Sequence, residues 1–234
     1  MLLLLLRDNP DIVSVLYTLF YLLASLLVAL TFHEASHALV ATWLGDDTPK
    51  RAGRLSLNPF AHLEPFGLVM ILLAGIGWGK PVPINGDKLR VGPKAGMALV
   101  ALAGPISNLL LAFVLALPLR FHLVTFTPQR LSLAGLIVYF SAGTLFQMLV
   151  TLNLLLALFN LIPISPLDGS RLWQIILPNR LYYLWVRYEI FGVFVVVGLV
   201  LADAWLRTGI LNNLLGPPLH MLWGPFVGWG APPL

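Results

Sequence analysis

His33-Glu34-Ala35-Ser36-His37 follows directly on Val13 to Phe32, a run without one charged residue. Ionisable groups carried into hydrocarbon are expensive to keep, so such a cluster reads as a functional site. In an α-helix, positions i and i+4 differ by roughly 40° in azimuth and ~6 Å in height, which points His33 and His37 to one side as a two-tooth metal clamp. Glu34 stands about 100° round from His33, poorly placed as a third ligand but close enough to act on a water held at the metal. It reads as a general base. Gly45 and Asp46-Asp47 end the helix eight residues after His37, about 12 Å further on, so the clamp sits inside the bilayer but nearer one face. Water reaches it from that face.

Working outward, the composition agrees. Of 234 residues 59% are hydrophobic and only 10% charged, and the mean hydropathy is +0.88, against about 25% charged residues in a soluble globular domain. The chain reads as an integral membrane protein. With no cysteine it can build neither a disulfide framework nor a thiolate metal site, so a metal must be held by His and carboxylate. The net charge of +4 comes from scattered Lys and Arg with no basic patch interleaved with aromatics, which excludes nucleic acid as the expected partner. Met1 to Leu6 is apolar, but it lacks a basic stretch before it and a small-residue cleavage site after it, so no signal peptide is expected.

The first spanning helix is predicted from about Ile12 to Leu44, the second from about Ala95 to Leu119 with a kink at Gly104-Pro105, and the third from about Ala134 to Leu161. Arg54 to Pro59 and Lys80 to Gly86 look like short extended segments bounded by turn formers. Between them Phe66 to Trp78 is too short and glycine-rich for a full span and reads as re-entrant. Asn160 to Gly169 carries Pro163 and Pro166, breaks the third helix, and places Asp168 where an interrupted helix lines a cavity. Arg171 to Pro178 is expected at the interface, Ile190 to Leu206 back across the membrane, and the Pro-, Gly- and Trp-rich stretch from Gly216 as an interfacial cap. The expected fold is thus an all-α polytopic membrane protein. A core of three transmembrane helices carries the site, joined by further helices, short membrane-associated β segments and the re-entrant stretch. All of this forms a single domain over 1–234 with no separate soluble domain.

Parity supplies the third ligand. If Phe66 to Trp78 does not cross, His37 and Asp168 lie at the ends of parallel helices separated by one return helix, hence on one side. That side then holds Lys50, Arg51, Arg54, Lys80, Lys88, Arg90, Lys94, Arg171, Arg180 and Arg187, and the other only Arg7, Arg120, Arg130 and Arg207. Positive charge concentrates in the cytoplasm, so the site is expected to face it.

At these residues the sequence resembles the site-2 protease family of intramembrane zinc metalloproteases, which join H-E-x-x-H in one helix to a later L-D-G. The likeness extends to Leu57 to Pro65, Gly77 to Asn85, Ala103 to Asn108 and Asn160 to Arg171, and suits the compact bacterial and archaeal branch without a PDZ domain. The resemblance implies one Zn²⁺ held by His33, His37 and Asp168, with Glu34 as catalytic base. By analogy alone it puts Asn108 and Asn160 near the substrate carbonyl. It also implies a prokaryotic plasma membrane and transmembrane proteins as substrates. The connection from Arg120 to Arg130 is too short for a PDZ module, so a regulatory tether is expected from another protein. Two His and one carboxylate leave zinc an open position for water, the mark of a catalytic site. An unwound substrate needs new backbone partners, and the two extended segments either offer them by strand addition or shield the site from lipid. The rival reading is a metal or proton transporter built on the same His and Asp cluster. His62 and Glu64 read as structural.

Overall fold

The computed structural model describes residues 12–65, 67, 79–127, 129–133 and 136–228. The chain is mostly helical. Helix α1 (Ile12–Trp43) is followed by the short α2 (Thr48–Arg51), and α3 (Pro93–Arg120) begins with proline at its first position, where the missing N–H costs nothing. Helix α4 (Ala142–Asn160) precedes α5 (Asp168–Gln174), α6 (Asn179–Arg187), α7 (Glu189–Leu206) and α8 (Ile210–Val227). Helices α1, α3 and α4 are each long and apolar enough to cross a membrane, and α6 with α7 forms a further candidate bent by 59°. Large apolar side chains point outward from them, among them Leu16, Phe20, Leu110, Phe113 and Val114, as lipid-facing positions require.

Where α3 meets α4, the α3 residues are small. Ala112 and Ala116 on α3 are fully buried one turn apart and let Val150 and Leu154 of α4 approach closely. Leu219, Trp223 and Val227 of α8 complete this cluster. The C-terminal stretch expected as an interfacial cap is therefore a packed helix up to Val227, despite Pro217, Pro218 and Pro225. Two further expectations need correction. No strand forms at 54–59 or 80–86, because Pro81 and Pro83 have no N–H to give a ladder, while the Asn58 and Asn85 side chains accept from Phe60 and Asp87 N–H and turn the chain into 3₁₀ turns. The pairing that does occur among the described residues is an antiparallel hairpin, β1 (Gln129–Leu133) with β2 (Leu136–Phe140). The β-branched and aromatic run Ile137 to Phe140 suits a strand better than a helix, so the third span starts at Ala142, capped by Ser141, and not at Ala134. The re-entrant expectation for Phe66 to Trp78 falls, apart from Gly67, outside the described residues.

Segment 79–90 is tied to the end of α1. Asp46 is fully buried and accepts from Thr48 N–H at 3.0 Å, Thr48 Oγ1 at 2.5 Å and, across the chain, Asn85 N–H at 2.6 Å. Arg90 N–H adds a bond to the Leu44 carbonyl. The extended stretch Pro81 to Asn85 is thereby held beside the histidine helix without being a strand.

Candidate metal centre

The two histidines leave α1 on one side, as i, i+4 spacing demands, with ring centroids 4.6 Å apart and both side chains buried. Each has its Nδ1 occupied. His37 Nδ1–H donates to the Val100 carbonyl of α3 at 2.7 Å, and His33 Nδ1 meets Asn108 Oδ1 at 2.7 Å. Both Nε2 atoms therefore face inward, where Asp168 Oδ2 lies 3.1 Å from that of His33 and 3.3 Å from that of His37. Asp168 is the first residue of α5, brought back to the histidines by the turn from Leu161 to Leu167. Gly169 makes this return possible: a Cβ there would stand 2.2 Å from the Leu161 carbonyl oxygen.

Asp168 Oδ2 is buried without a hydrogen-bond partner. His37 gives its Nδ1–H to a backbone carbonyl, so its neutral imidazole turns an Nε2 lone pair toward the carboxylate oxygen, a contact that needs a proton or a metal cation between the two. His33, His37 and Asp168 are the group among the described residues whose ligand atoms lie within 4.8 Å of one another. Two imidazoles and one carboxylate suit Zn²⁺ and leave an open coordination position. On the observed geometry the residues fit the metal.

A cleft of about 300 Å³ opens onto the cluster. Glu34, Asp168 and Arg171 line it with both histidines, and Asn160 borders it with its Nδ2 bonded to the Leu156 carbonyl at 3.0 Å. Pro81, Val82 and Ile84 form one wall, so the segment expected to be extended does reach the site. Asn108 does not line the cleft. It is fully buried behind His33, bonded through Nδ2 to Ala29 O and Asn153 Oδ1. His62 and Glu64 stand apart: His62 is buried and bonds Ser56 O through Nε2, and Glu64 accepts from Gly67 N–H, both local loop contacts.

Two site residues escaped the sequence reading. Gly104 backs the cluster, since a Cβ there would lie 2.5 Å from His33 Cε1 and 2.5 Å from His37 Nε2. Its signal is a glycine in the helix facing the histidines, which reads equally as a partner of Pro105. Asn153 is a fully buried carboxamide in an apolar helix. That is a visible anomaly, but it gives no hint of its partner.

Fold and cluster together describe a helical membrane protein with a candidate metal centre. The chain belongs to peptidase family M50, whose model matches residues 21–202, in agreement with the site-2 protease resemblance. Among its relatives named "Putative zinc metalloprotease", YwhC of Bacillus subtilis (strain 168) is 41% identical over 177 residues, covering 75% of this chain and 77% of that protein. Rip3 of Mycobacterium tuberculosis (strain ATCC 25618 / H37Rv) is 29% identical over 211 residues, and Rip2 of the same strain 35% over 150. These cover 87% and 63% of this chain but only 42% and 53% of the two relatives. No solved structure matches. The chain is a zinc metallopeptidase and a membrane protein.

Proposed function

We propose that this chain is an intramembrane endopeptidase that hydrolyses a peptide bond within or near a transmembrane segment of membrane-protein substrates. One Zn²⁺ per chain would be held by His33, His37 and Asp168. The observation that carries this reading is the convergence of those three ligand atoms in a cleft that Glu34 also lines. Zinc bound there supplies a Lewis acid that activates water and polarises a peptide carbonyl. Glu34, one residue on from His33 and turned to the cleft, takes the proton at its carboxylate and returns it to the departing amine. Asn160 borders the same cleft and is offered as the polar group nearest the substrate carbonyl. The Pro81 to Asn85 wall presents backbone to an unwound substrate, whose carbonyls and N–H groups need partners once helical bonds open. The site faces the cytoplasm, a reading supported by the excess of Lys and Arg on its side. The transporter reading is not favoured, given membership of a peptidase family.

Glu34→Gln keeps size and hydrogen-bonding capacity but removes basicity. Zinc should stay bound while peptide hydrolysis falls by a factor on the order of 10² to 10⁴. Metal analysis of the purified protein should give one zinc per chain, lost in His33→Ala and Asp168→Ala. Full zinc occupancy in both of these variants, or undiminished hydrolysis by Glu34→Gln, would sink the assignment.

A further inference from the structure

Asn153 lies in the apolar interior of α4, 0% exposed, and its Nδ2 donates to the Leu149 carbonyl at 2.8 Å. Its Oδ1 accepts from Asn108 Nδ2 at 2.8 Å, and that same Nδ2 donates at 2.9 Å to the Ala29 carbonyl of α1. Asn108 Oδ1 is thus left facing His33 Nδ1. The series is anchored at both ends by backbone carbonyls, which only accept. Turning Asn108 over would set its oxygen against the Ala29 and Asn153 oxygens. Turning Asn153 over as well would set its oxygen against that of Leu149. Each reversal buries facing acceptors with no proton between them, the costly case for a polar group away from water. His33 must then carry its proton on Nδ1.

From this geometry we infer that Asn153 and Asn108 act as a two-carboxamide relay that locks His33 in the Nδ1–H tautomer, so that its Nε2 lone pair is presented to the metal. They are positioning residues on the far side of the ligand, and Asn108 does not meet the substrate carbonyl. The identity of the proton-bearing nitrogen is set by what the other nitrogen bonds to, and such outer partners tune metal affinity. His37 is served by a backbone carbonyl that no side-chain change removes, so His33 is the ligand whose tautomer depends on side chains. This inference rests on the metal-centre reading above.

The test uses the full chain in detergent, with zinc affinity measured by competition against a chelator and the His33 tautomer read from ¹⁵N imidazole shifts. Asn108→Leu should weaken zinc binding about 10- to 100-fold and leave the His33 proton no longer confined to Nδ1. Asn108→Asp keeps an acceptor facing His33 but sets its second oxygen against the Ala29 and Asn153 oxygens, so it should keep the His33 proton on Nδ1 while recovering only part of that affinity. Asn153→Leu should shift both readouts in the same direction as Asn108→Leu, by less. A role at the substrate carbonyl predicts the reverse: Asn108→Leu would bind zinc normally and lose only hydrolysis, and Asn108→Asp would be the worse enzyme. Zinc affinity within twofold of the parent chain in Asn108→Leu, or a His33 proton no longer on Nδ1 in Asn108→Asp, overturns the inference. If Asn108→Leu does not fold, an unchanged tautomer and affinity in Asn153→Leu overturns it instead. Failure of the metal-centre reading is distinguishable, because the parent chain itself would then bind no zinc or keep it in His33→Ala.

Discussion

A methyl group added at Gly104 would stand 2.5 Å from one atom of each histidine ring. On helix propensity alone, Gly→Ala in a helix interior should stabilise by about 1 kcal/mol. Here that gain is opposed by overpacking, which costs typically about 1–3 kcal/mol, and the atoms met are those of the two ligand rings themselves, His33 Cε1 and His37 Nε2. We predict that Gly104→Ala folds with near-parental stability but binds zinc at least about tenfold more weakly, since sites of this kind tolerate displacements of only about 0.5 Å. Thermal unfolding and chelator competition on the same sample check this. Unchanged zinc affinity would mean that the rings have room to move. At this scale the sequence was partly transparent. The spacing of His33, Glu34 and His37 dictates their directions through helix geometry alone, whereas Gly104 looks like a kink and Asn108 like a substrate contact until their neighbours are seen.

Among elements, the coupling of α1 to the cleft wall runs through Asp46. Burial pushes its carboxyl pKa up, but hydrogen bonds from Thr48 Oγ1, Asn85 N–H and Thr48 N–H outweigh it and hold the pKa below 3.8. A carboxyl depressed in the folded state contributes stability that is present above its unfolded pKa and lost as pH falls toward the folded one. The expected outcome is that melting temperature declines below about pH 4 more steeply in the parent chain than in Asp46→Asn, with Asp46→Asn less stable at pH 7. Parallel pH profiles for the two proteins would count against this. Loosening of Pro81 to Asn85 in Asp46→Asn should also raise proteolytic nicking there. The ends of elements were the least legible feature in the sequence. An apolar run from Ala134 to Leu161 has no periodicity that separates strand from helix, and the boundary at Ser141 rests on contacts with Thr144, Phe126 and the Tyr21 hydroxyl.

On the scale of the whole molecule, α1, α3 and α4 are the candidate spans, and the start of α5 meets the histidines of α1. The proposal that this side faces the cytoplasm rests on the Lys and Arg asymmetry. The chain contains no cysteine, so single cysteines report cleanly. A cysteine at Ser56 or Asp87 should resist an impermeant thiol reagent added to intact cells and react after the membrane is opened. Labelling from outside would invert the topology and the side from which water enters.

What the sequence determined by itself is whatever a single helix or a count of crossings decides. That covers the membrane class, the direction of the His33 and His37 side chains, the separation of Glu34 from them, and the shared side of Asp168. These follow from 3.6 residues per turn and the thickness of hydrocarbon, and need no knowledge of neighbours. Only the tertiary structure decided which buried groups stand behind the ligands. The bonds from His33 to Asn108 and from Asn108 to Asn153 join residues 75 and 45 positions apart. Such pairings depend on the rotation and depth at which α3 and α4 pack against α1, which no single helix specifies. Local periodicity tells which face of a helix is apolar, but not which residue of another helix will meet it.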